Sequence, residues 1–185
     1  MRPWLRVVGP DRVGRNSGVA TPAGPERAEV TIIPKIMLSW TGAVLALGAC
    51  IVALRLTAHP VLLASLGGSC VIVFGMSDGD MAQPRSLFLG HLIAASVGIA
   101  FLRYGVPLGG PRDAWMVAAV ATSLATMMAT RTIHSPAGAN PIVVFMEGAG
   151  WSFLWSPVLI GLAIVFGVGL LVNNFRGGRY PRAWR

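Results

Sequence analysis

Four long apolar segments constrain the fold of this chain more than any other feature of its sequence. They cover residues 36–57, 86–102, 114–130 and 153–172. A helix rises about 1.5 Å per residue, so about 20 residues cross a hydrocarbon core about 30 Å thick, and about 17 suffice at the short end. Hydrophobic residues make up 54% of the chain, and the 12% that are charged cluster outside these segments. The sequence therefore predicts an all-α integral membrane protein with four long transmembrane helices.

Two further apolar pieces are too short or too interrupted to span a bilayer. The piece at 61–76 contains Gly67-Gly68-Ser69, and the piece at 137–150 contains Asn140-Pro141 and Glu147. An unpaired backbone group in a bilayer costs several kcal/mol, so broken backbone at that depth must be shielded by protein or line a wet cavity. We therefore expect two short re-entrant or half helices here, and we expect the functional site in them.

Matched spacings relate the two halves of the chain. Trp40 precedes His59 by 19 residues, and Trp115 precedes His134 by the same 19. The register then continues with an offset of 71 positions. The identities matched by that offset are Gly67 with Gly138, Val73-Phe74 with Val144-Phe145, Gly90 with Gly161, Ile93 with Ile164 and Gly98 with Gly169. We predict two internal repeats, near 36–102 and 114–173, an organisation found in many transporters.

Basic residues flank the membrane region. A disordered N-terminal tail at 1–35 and a C-terminal tail at 174–185 are predicted around a transmembrane domain at 36–173, and the two tails hold ten of the fifteen Lys and Arg residues. Cytoplasmic flanks of membrane helices are rich in such residues, so the net charge of +8 does not indicate a nucleic-acid partner. Both tails are predicted to be cytoplasmic, at a bacterial inner membrane. Four and six crossings explain this charge distribution equally well.

The short segments have the residues of an anion site. Ser69 and Asn140 are preferred N-cap residues at matched positions. A helix N-terminus presents free N–H groups and roughly half a positive charge, so two of them facing one cavity would bind a small anion. Arg55 and Arg131 would supply positive charge at the entrance, with interfacial anchoring as the alternative. The predicted substrate-binding residues are Gly67, Gly68, Ser69, Gly138, Asn140, His134 and His91.

The three histidines differ in their predicted surroundings. His91 lies inside a predicted span, where an ionisable residue is a functional candidate by default. We expect it to face protein or a cavity and to tune transport with pH; a packing histidine is the alternative. His59 and His134 lie in loops that enter the short segments, where they would carry a proton or orient the loop.

Little in the sequence indicates catalysis or metal binding. The chain has no close histidine pair in sequence, no carboxylate at ligand spacing and no nucleophile–base or cofactor motif. Cys50 and Cys70 lie in apolar segments and are interpreted as small buried hydrophobes. We therefore expect no enzyme activity, no metal and no cofactor.

Three stretches resemble the conserved segments of the HPP family of integral membrane proteins. "RTIHSPAGANP" (131–141) is similar to the His-Pro-Pro run and the Ala-Gly-Ala that follow one another in that family. "AQPRSLFLGHLIAASVGI" (82–99) and "LLASLGGSCVIVFG" (62–75) resemble two further segments. Ser135 stands in place of the first proline, which removes one backbone constraint from the loop. The resemblance covers about 36–173 and implies few membrane spans and a role in nitrite transport.

The residues and the resemblance together predict a transporter or channel for a small anion such as nitrite. The alternative is a membrane scaffold or regulatory subunit whose repeats serve packing only. Four spans enclose little interior. In addition, Gly90 and Gly98 on one helix, and Gly161 and Gly169 on another, lie along rows of four-residue spacing that suit close helix packing. A homo-oligomer is therefore expected.

Overall fold

Six α-helices make up most of the part of the chain that the structure describes. The computed structural model describes residues 25–54, 61–175 and 178–184, with side chains in the first helix from residue 33 onward, and these residues contain no strand. The helices are α1 (Pro25–Leu54), α2 (Leu62–Gly75), α3 (Pro84–Ala100), α4 (Arg112–Thr130), α5 (Asn140–Glu147) and α6 (Ile160–Asn174).

Three helices in the described ranges are long and apolar enough to cross a membrane. They are the segments Ile33–Leu54, Pro84–Leu108 and Leu154–Asn174. The second continues α3 through a π-turn, and the third joins a π-turn to α6. Large apolar side chains face outward, including Val52 at 70% and Leu171 at 74% exposure. Such a surface is suited to lipid, so the chain is an integral membrane protein. Helix α4 has 19 residues but starts with Arg112 and Asp113, and its crossing stays a prediction.

The two short helices were predicted, but the predicted capping by Ser69 and Asn140 is wrong. Helix α2 begins at Leu62, so Ser69 lies inside it and the prediction that Ser69 caps it is wrong. Helix α5 begins with Asn140 itself, whose side chain makes no capping bond, so that prediction is wrong as well. The prediction of a disordered tail at 1–35 is wrong for its last eleven residues, because α1 begins at Pro25.

Glycines set the closest approaches between helices. A Cβ at Gly98 would lie 2.8 Å from the Pro141 Cα of α5, and a Cβ at Gly161 would lie 2.5 Å from a methyl carbon of Leu66 in α2. A Cβ at Gly90 or Gly169 would also contact other parts of this chain within 3 Å. All four glycines therefore pack against other parts of the same chain. The homo-oligomer was expected partly because these glycines could pack against a second copy, and that argument no longer applies.

Helix packing follows the same pattern in the two halves. Helix α1 packs on α2 as α4 does on α5, and α6 packs on α1 and α2 as α3 does on α4 and α5. Single contacts match too. Ser39 donates a hydrogen bond to the Phe74 carbonyl at the end of α2, and Arg112 donates one to the Phe145 carbonyl in α5. The repeat stays a prediction: the acceptors Phe74 and Phe145 are related by the 71-residue offset, whereas the donors Ser39 and Arg112 are not.

The C-terminal segment is held against the turn between α2 and α3. The Tyr180 hydroxyl donates to the Ala82 carbonyl at 2.7 Å, and the Gln83 Oε1 accepts from the backbone N–H of Arg182 at 2.8 Å. Tyr180 and Gln83 are both buried. Residues 178–184 are therefore a docked extension of the membrane domain.

Candidate functional site

Five buried polar side chains meet where α2, α3 and the start of α5 come together. This polar cluster consists of Ser65, Ser69, His91, His134 and Asn140, and none is more than 2% exposed. Ser65 and Ser69 stand one turn apart on α2, so both point to the same side of that helix. Polar groups in a membrane domain are rare at such burial, and those present mark a functional site by default.

Glycine and proline let the loop before α5 reach the cluster. A Cβ at Gly90 would lie 2.8 Å from the His134 Cβ and 3.0 Å from the Thr132 carbonyl oxygen. On α2, a Cβ at Gly68 would lie 3.0 Å from the Pro136 Cβ. The loop can therefore lie directly on α2 and α3 only because neither helix has a side chain at these points.

Hydrogen bonds join all five side chains. The Ser69 Oγ lies 2.9 Å from His91 Nε2 and 2.9 Å from His134 Nε2. The Asn140 Nδ2 lies 3.0 Å from His91 Nδ1 and 3.1 Å from the His91 carbonyl oxygen. The Ser65 hydroxyl lies 2.9 Å from Asn140 Oδ1 and 2.8 Å from the Pro136 carbonyl oxygen.

The carbonyl partners fix the direction of these bonds when both rings are neutral. His134 Nδ1 lies 2.8 Å from the Met81 carbonyl oxygen, so it must carry the hydrogen, and Nε2 then accepts from Ser69. The Asn140 amide nitrogen faces a carbonyl, so it donates, and His91 Nδ1 accepts from it. His91 Nε2 therefore carries the hydrogen and donates to Ser69. One continuous chain of bonds runs from Ser65 to Met81.

Burial keeps the His134 imidazole of this cluster uncharged at neutral pH. His134 lies outside the spanning helices, and burial lowers its pKa to about 4, opposed in part by the hydrogen bond to the Met81 carbonyl. No buried side-chain nitrogen or oxygen among the residues described lacks a hydrogen-bond partner. The five side chains therefore use their donors on one another and on backbone carbonyls, and a bound solute would have to replace some of these bonds.

Comparison with known proteins places this site in a family. The family model for the transmembrane region of HPP proteins matches residues 29–181. The chain belongs to the HPP family. The polar cluster lies wholly within the matched region.

Two curated relatives of this HPP chain come from Dictyostelium discoideum and are described as transmembrane proteins. One is 34% identical over 129 residues, which are 67% of this chain and 45% of that protein. The other is 33% identical over 128 residues, 66% of this chain and 41% of that protein. The chain thus spans less than half the length of these relatives. No solved structure matches it.

Four of the predicted site residues come together in the HPP fold, and the others have different positions. Ser69, His91, His134 and Asn140 are in the cluster, and His91 faces protein as predicted. The region around Gly67 and Gly138 has room for a Cβ with no atom within 4 Å, whereas Gly68 contacts Pro136. Arg131 is exposed at the end of α4. Arg55 and His59 lie outside the described residues.

Ser65 and the Met81 carbonyl are the members that sequence reasoning missed. The signal for Ser65 was its position four residues before Ser69, which places two hydroxyls on one face if the helix starts early enough. The prediction began the helix at Ser69 and so left Ser65 outside it. No sequence pattern points to the Met81 carbonyl, which is a backbone atom in a turn.

The cluster does not have the composition of a metal site. No group of three or more His, Cys, Asp or Glu side chains suited to a metal occurs in the described part of the chain. The two histidines both contact the Ser69 hydroxyl, and the members of the cluster other than the histidines are two neutral serines and one amide. What the arrangement can do is donate and accept hydrogen bonds and take up a proton.

Proposed function

We propose that this HPP protein transports a small monovalent anion such as nitrite through its membrane domain. The observation that carries the proposal is the polar cluster: five hydrogen-bonding side chains, two of them ionisable, buried together at the junction of two short helices and a spanning helix. Keeping such groups buried in a membrane protein costs free energy, which a transport site explains and a purely apolar core would avoid.

The chemistry of the cluster favours an anion over a cation. None of its five side chains is acidic, and Ser65, Ser69, Asn140 and the two imidazoles all supply O–H or N–H donors. A cation at this place would have no carboxylate to balance it, whereas an anion would accept the donors that now serve the cluster. A small anion needs only a few donors and must remain free to leave.

The alternative is a non-transporting membrane scaffold or regulatory subunit. The completeness of the hydrogen bonds supports it, because a satisfied network also rigidifies a structural core. We expect no enzyme activity, since the cluster pairs its histidines with serines whose hydroxyls are fully buried and enclosed. A cofactor is not required by either function.

The proposal includes the membrane topology of the two repeats. The paired contacts of Gly98 with Val144 and of Gly169 with Val73 support two repeats related by the 71-residue offset. If α2 and α5 cross the membrane, each repeat has three crossings and the halves are inverted; if they re-enter, each repeat has two crossings and the halves are parallel. In either case the cluster joins residues of both halves. We place both tails in the cytoplasm of a bacterial cell with the protein in the inner membrane, as a homo-oligomer.

Uptake into liposomes tests the function. Purified protein is reconstituted alone, and entry of nitrite, nitrate, formate and chloride is measured against protein-free liposomes. We expect nitrite or a similar small oxyanion to enter faster than through the bilayer, and a Ser123→Ala variant to match the wild type, because Ser123 bonds only within α4. Anion entry equal to that of protein-free liposomes would favour the scaffold.

Arg131 is expected to change the rate of uptake rather than the site. It is exposed and lies three residues before His134. Arg131→Gln should lower uptake a few-fold at low ionic strength, because an exposed positive charge concentrates anions at the entrance. The difference should narrow near 1 M salt, where the screening length falls to about 3 Å. If uptake by the Arg131→Gln variant stays equally far below wild-type uptake at high salt, Arg131 acts in the binding site instead.

A further inference from the structure

The Ser69 hydroxyl has one hydrogen and three neighbours that could use it. Its Oγ lies 2.9 Å from the Nε2 of His91, 2.9 Å from the Nε2 of His134 and 3.2 Å from the carbonyl oxygen of Ser65. In the neutral cluster the hydrogen points to His134, since that ring carries its own hydrogen on Nδ1. The Ser65 carbonyl is then a second acceptor within reach.

A proton added to His134 changes only the orientation of that hydroxyl. The protonated ring has N–H groups on both nitrogens, so Nε2 donates to Ser69 and no longer accepts from it. The hydroxyl then turns to the Ser65 carbonyl at 3.2 Å. Ser69 accepts from both imidazoles, Met81 still accepts from His134, and every bond of the cluster is kept.

A proton added to His91 would not be accommodated in this way. Its Nδ1 faces the Asn140 amide nitrogen, so two N–H donors would oppose each other at 3.0 Å. If the amide turned over, Asn140 Oδ1 would lie about 3.1 Å from the His91 carbonyl oxygen, and two acceptors would oppose each other. The geometry therefore distinguishes the two histidines, although both contact the same serine.

Among the residues that the structure describes, no negatively charged group contacts His134 to balance an added proton. Its two ring nitrogens contact a serine hydroxyl and a backbone carbonyl, which are both neutral. Of the charged residues on the elements around it, Asp78, Asp80, Arg85, Arg112, Asp113 and Arg131 are exposed. Glu147 accepts from the Val61 backbone at the start of α2, and the other titratable neighbours are His91 and the buried thiol of Cys70. A buried, uncompensated charge is unfavourable, so the countercharge must come from the solute.

We infer that His134 takes up a single proton by rotation of the Ser69 hydroxyl towards the Ser65 carbonyl, and that this proton enters together with the transported anion. One proton and one monovalent anion leave the cluster neutral, so charge balances. The inference about His134 and Ser69 stands on the geometry of the cluster, and its coupling to an anion rests on the proposed function. Ser69 acts as a positioning residue that directs the proton.

Histidine NMR tests the proton site without any transport. The chain has three histidines, so His59→Gln leaves only the two rings of the cluster. With ¹⁵N-labelled histidine at pH 8, one ring should carry its hydrogen on Nδ1 and the other on Nε2. On acidification, the ring with hydrogen on Nδ1 should become doubly protonated first. Two rings in the same tautomer, or first protonation of the Nε2–H ring, would overturn the inference.

Transport with a pH difference tests the coupling. An outside pH about one unit lower should support roughly tenfold accumulation of nitrite, because one pH unit is a factor of ten in proton activity. Protein-free liposomes correct for nitrous acid that crosses the bilayer unaided. Ser69→Ala should abolish the pH-driven part, and Ser123→Ala should keep it. Nitrite uptake that ignores pH would overturn the coupling. A lack of any uptake would contradict the proposed function, and the NMR result would still decide the proton site.

Discussion

Replacing Asn140 with leucine is expected to destabilise the protein by about 2–4 kcal/mol, because buried partners lose their hydrogen bonds. The Asn140 side chain donates to His91 Nδ1 and to the His91 carbonyl and accepts from Ser65. Leucine has the same branched shape and the same number of side-chain heavy atoms, but no polar atom. His91 Nδ1 would then be a buried acceptor without a donor, whereas Ser65 keeps the Pro136 carbonyl. Thermal unfolding in detergent measures the loss, and anion uptake per folded molecule should fall too.

Asn173→Leu is the matched control for this change. The Asn173 side chain donates a single bond, to the Val73 carbonyl at 3.0 Å, and is only partly buried. We expect a loss near 1 kcal/mol there. If Asn140→Leu is no less stable than Asn173→Leu, the polar cluster does not contribute to folding as its bonds indicate.

The second large effect is expected from Gly98→Ala. The new Cβ would lie 2.8 Å from the Pro141 Cα and 3.3 Å from the Cβ atoms of Pro141 and Val144. A backbone atom cannot rotate away, so α3 and α5 must separate, and overpacking of this kind costs about 1–3 kcal/mol. Asn140 precedes Pro141, so its bonds to His91 on α3 should lengthen as the helices part. We expect a lower unfolding temperature and reduced uptake.

Gly167→Ala separates this steric effect from helix propensity. Gly167 also lies in a spanning helix, and a Cβ there meets no atom within 4 Å. Alanine is intrinsically better than glycine in a helix by about 1 kcal/mol, so Gly167→Ala should be neutral or slightly stabilising. Equal stability of the Gly98→Ala and Gly167→Ala variants would show that α3 and α5 are not held together at Gly98.

Asn140 shows why the local pattern misjudged the site. Asn before Pro is a good helix-start signal, and α5 does start at that residue. The side chain nevertheless bonds to His91 and Ser65 rather than to its own helix. A capping bond contributes about 1 kcal/mol, whereas leaving the buried groups of His91 unpaired costs more, so tertiary contacts override the local preference.

Ser69 shows the same limit in another form. The Gly-Gly before it suggested a broken backbone, but α2 runs through both glycines from Leu62 to Gly75. Gly68 permits the close approach of Pro136, which only the path of a loop some seventy residues away reveals, and a Cβ at Gly67 would meet no atom within 4 Å. A glycine pair in an apolar segment is compatible with either role until the neighbouring element is known.

The sequence by itself determined that the chain is a helical integral membrane protein of the HPP family, where its apolar segments lie and which polar residues they contain. Those properties are sums over neighbouring residues or local motifs, so they do not depend on which helices meet. Only the tertiary structure decided that Ser69 bridges His91 and His134, 22 and 65 residues further along the chain. It also decided that Ser65 joins them and that Asn140 fixes one imidazole. Hydrogen bonds at such separations depend on the faces and depths at which helices pack, and in a membrane the high free energy of an unpaired polar group selects the packing that satisfies them all.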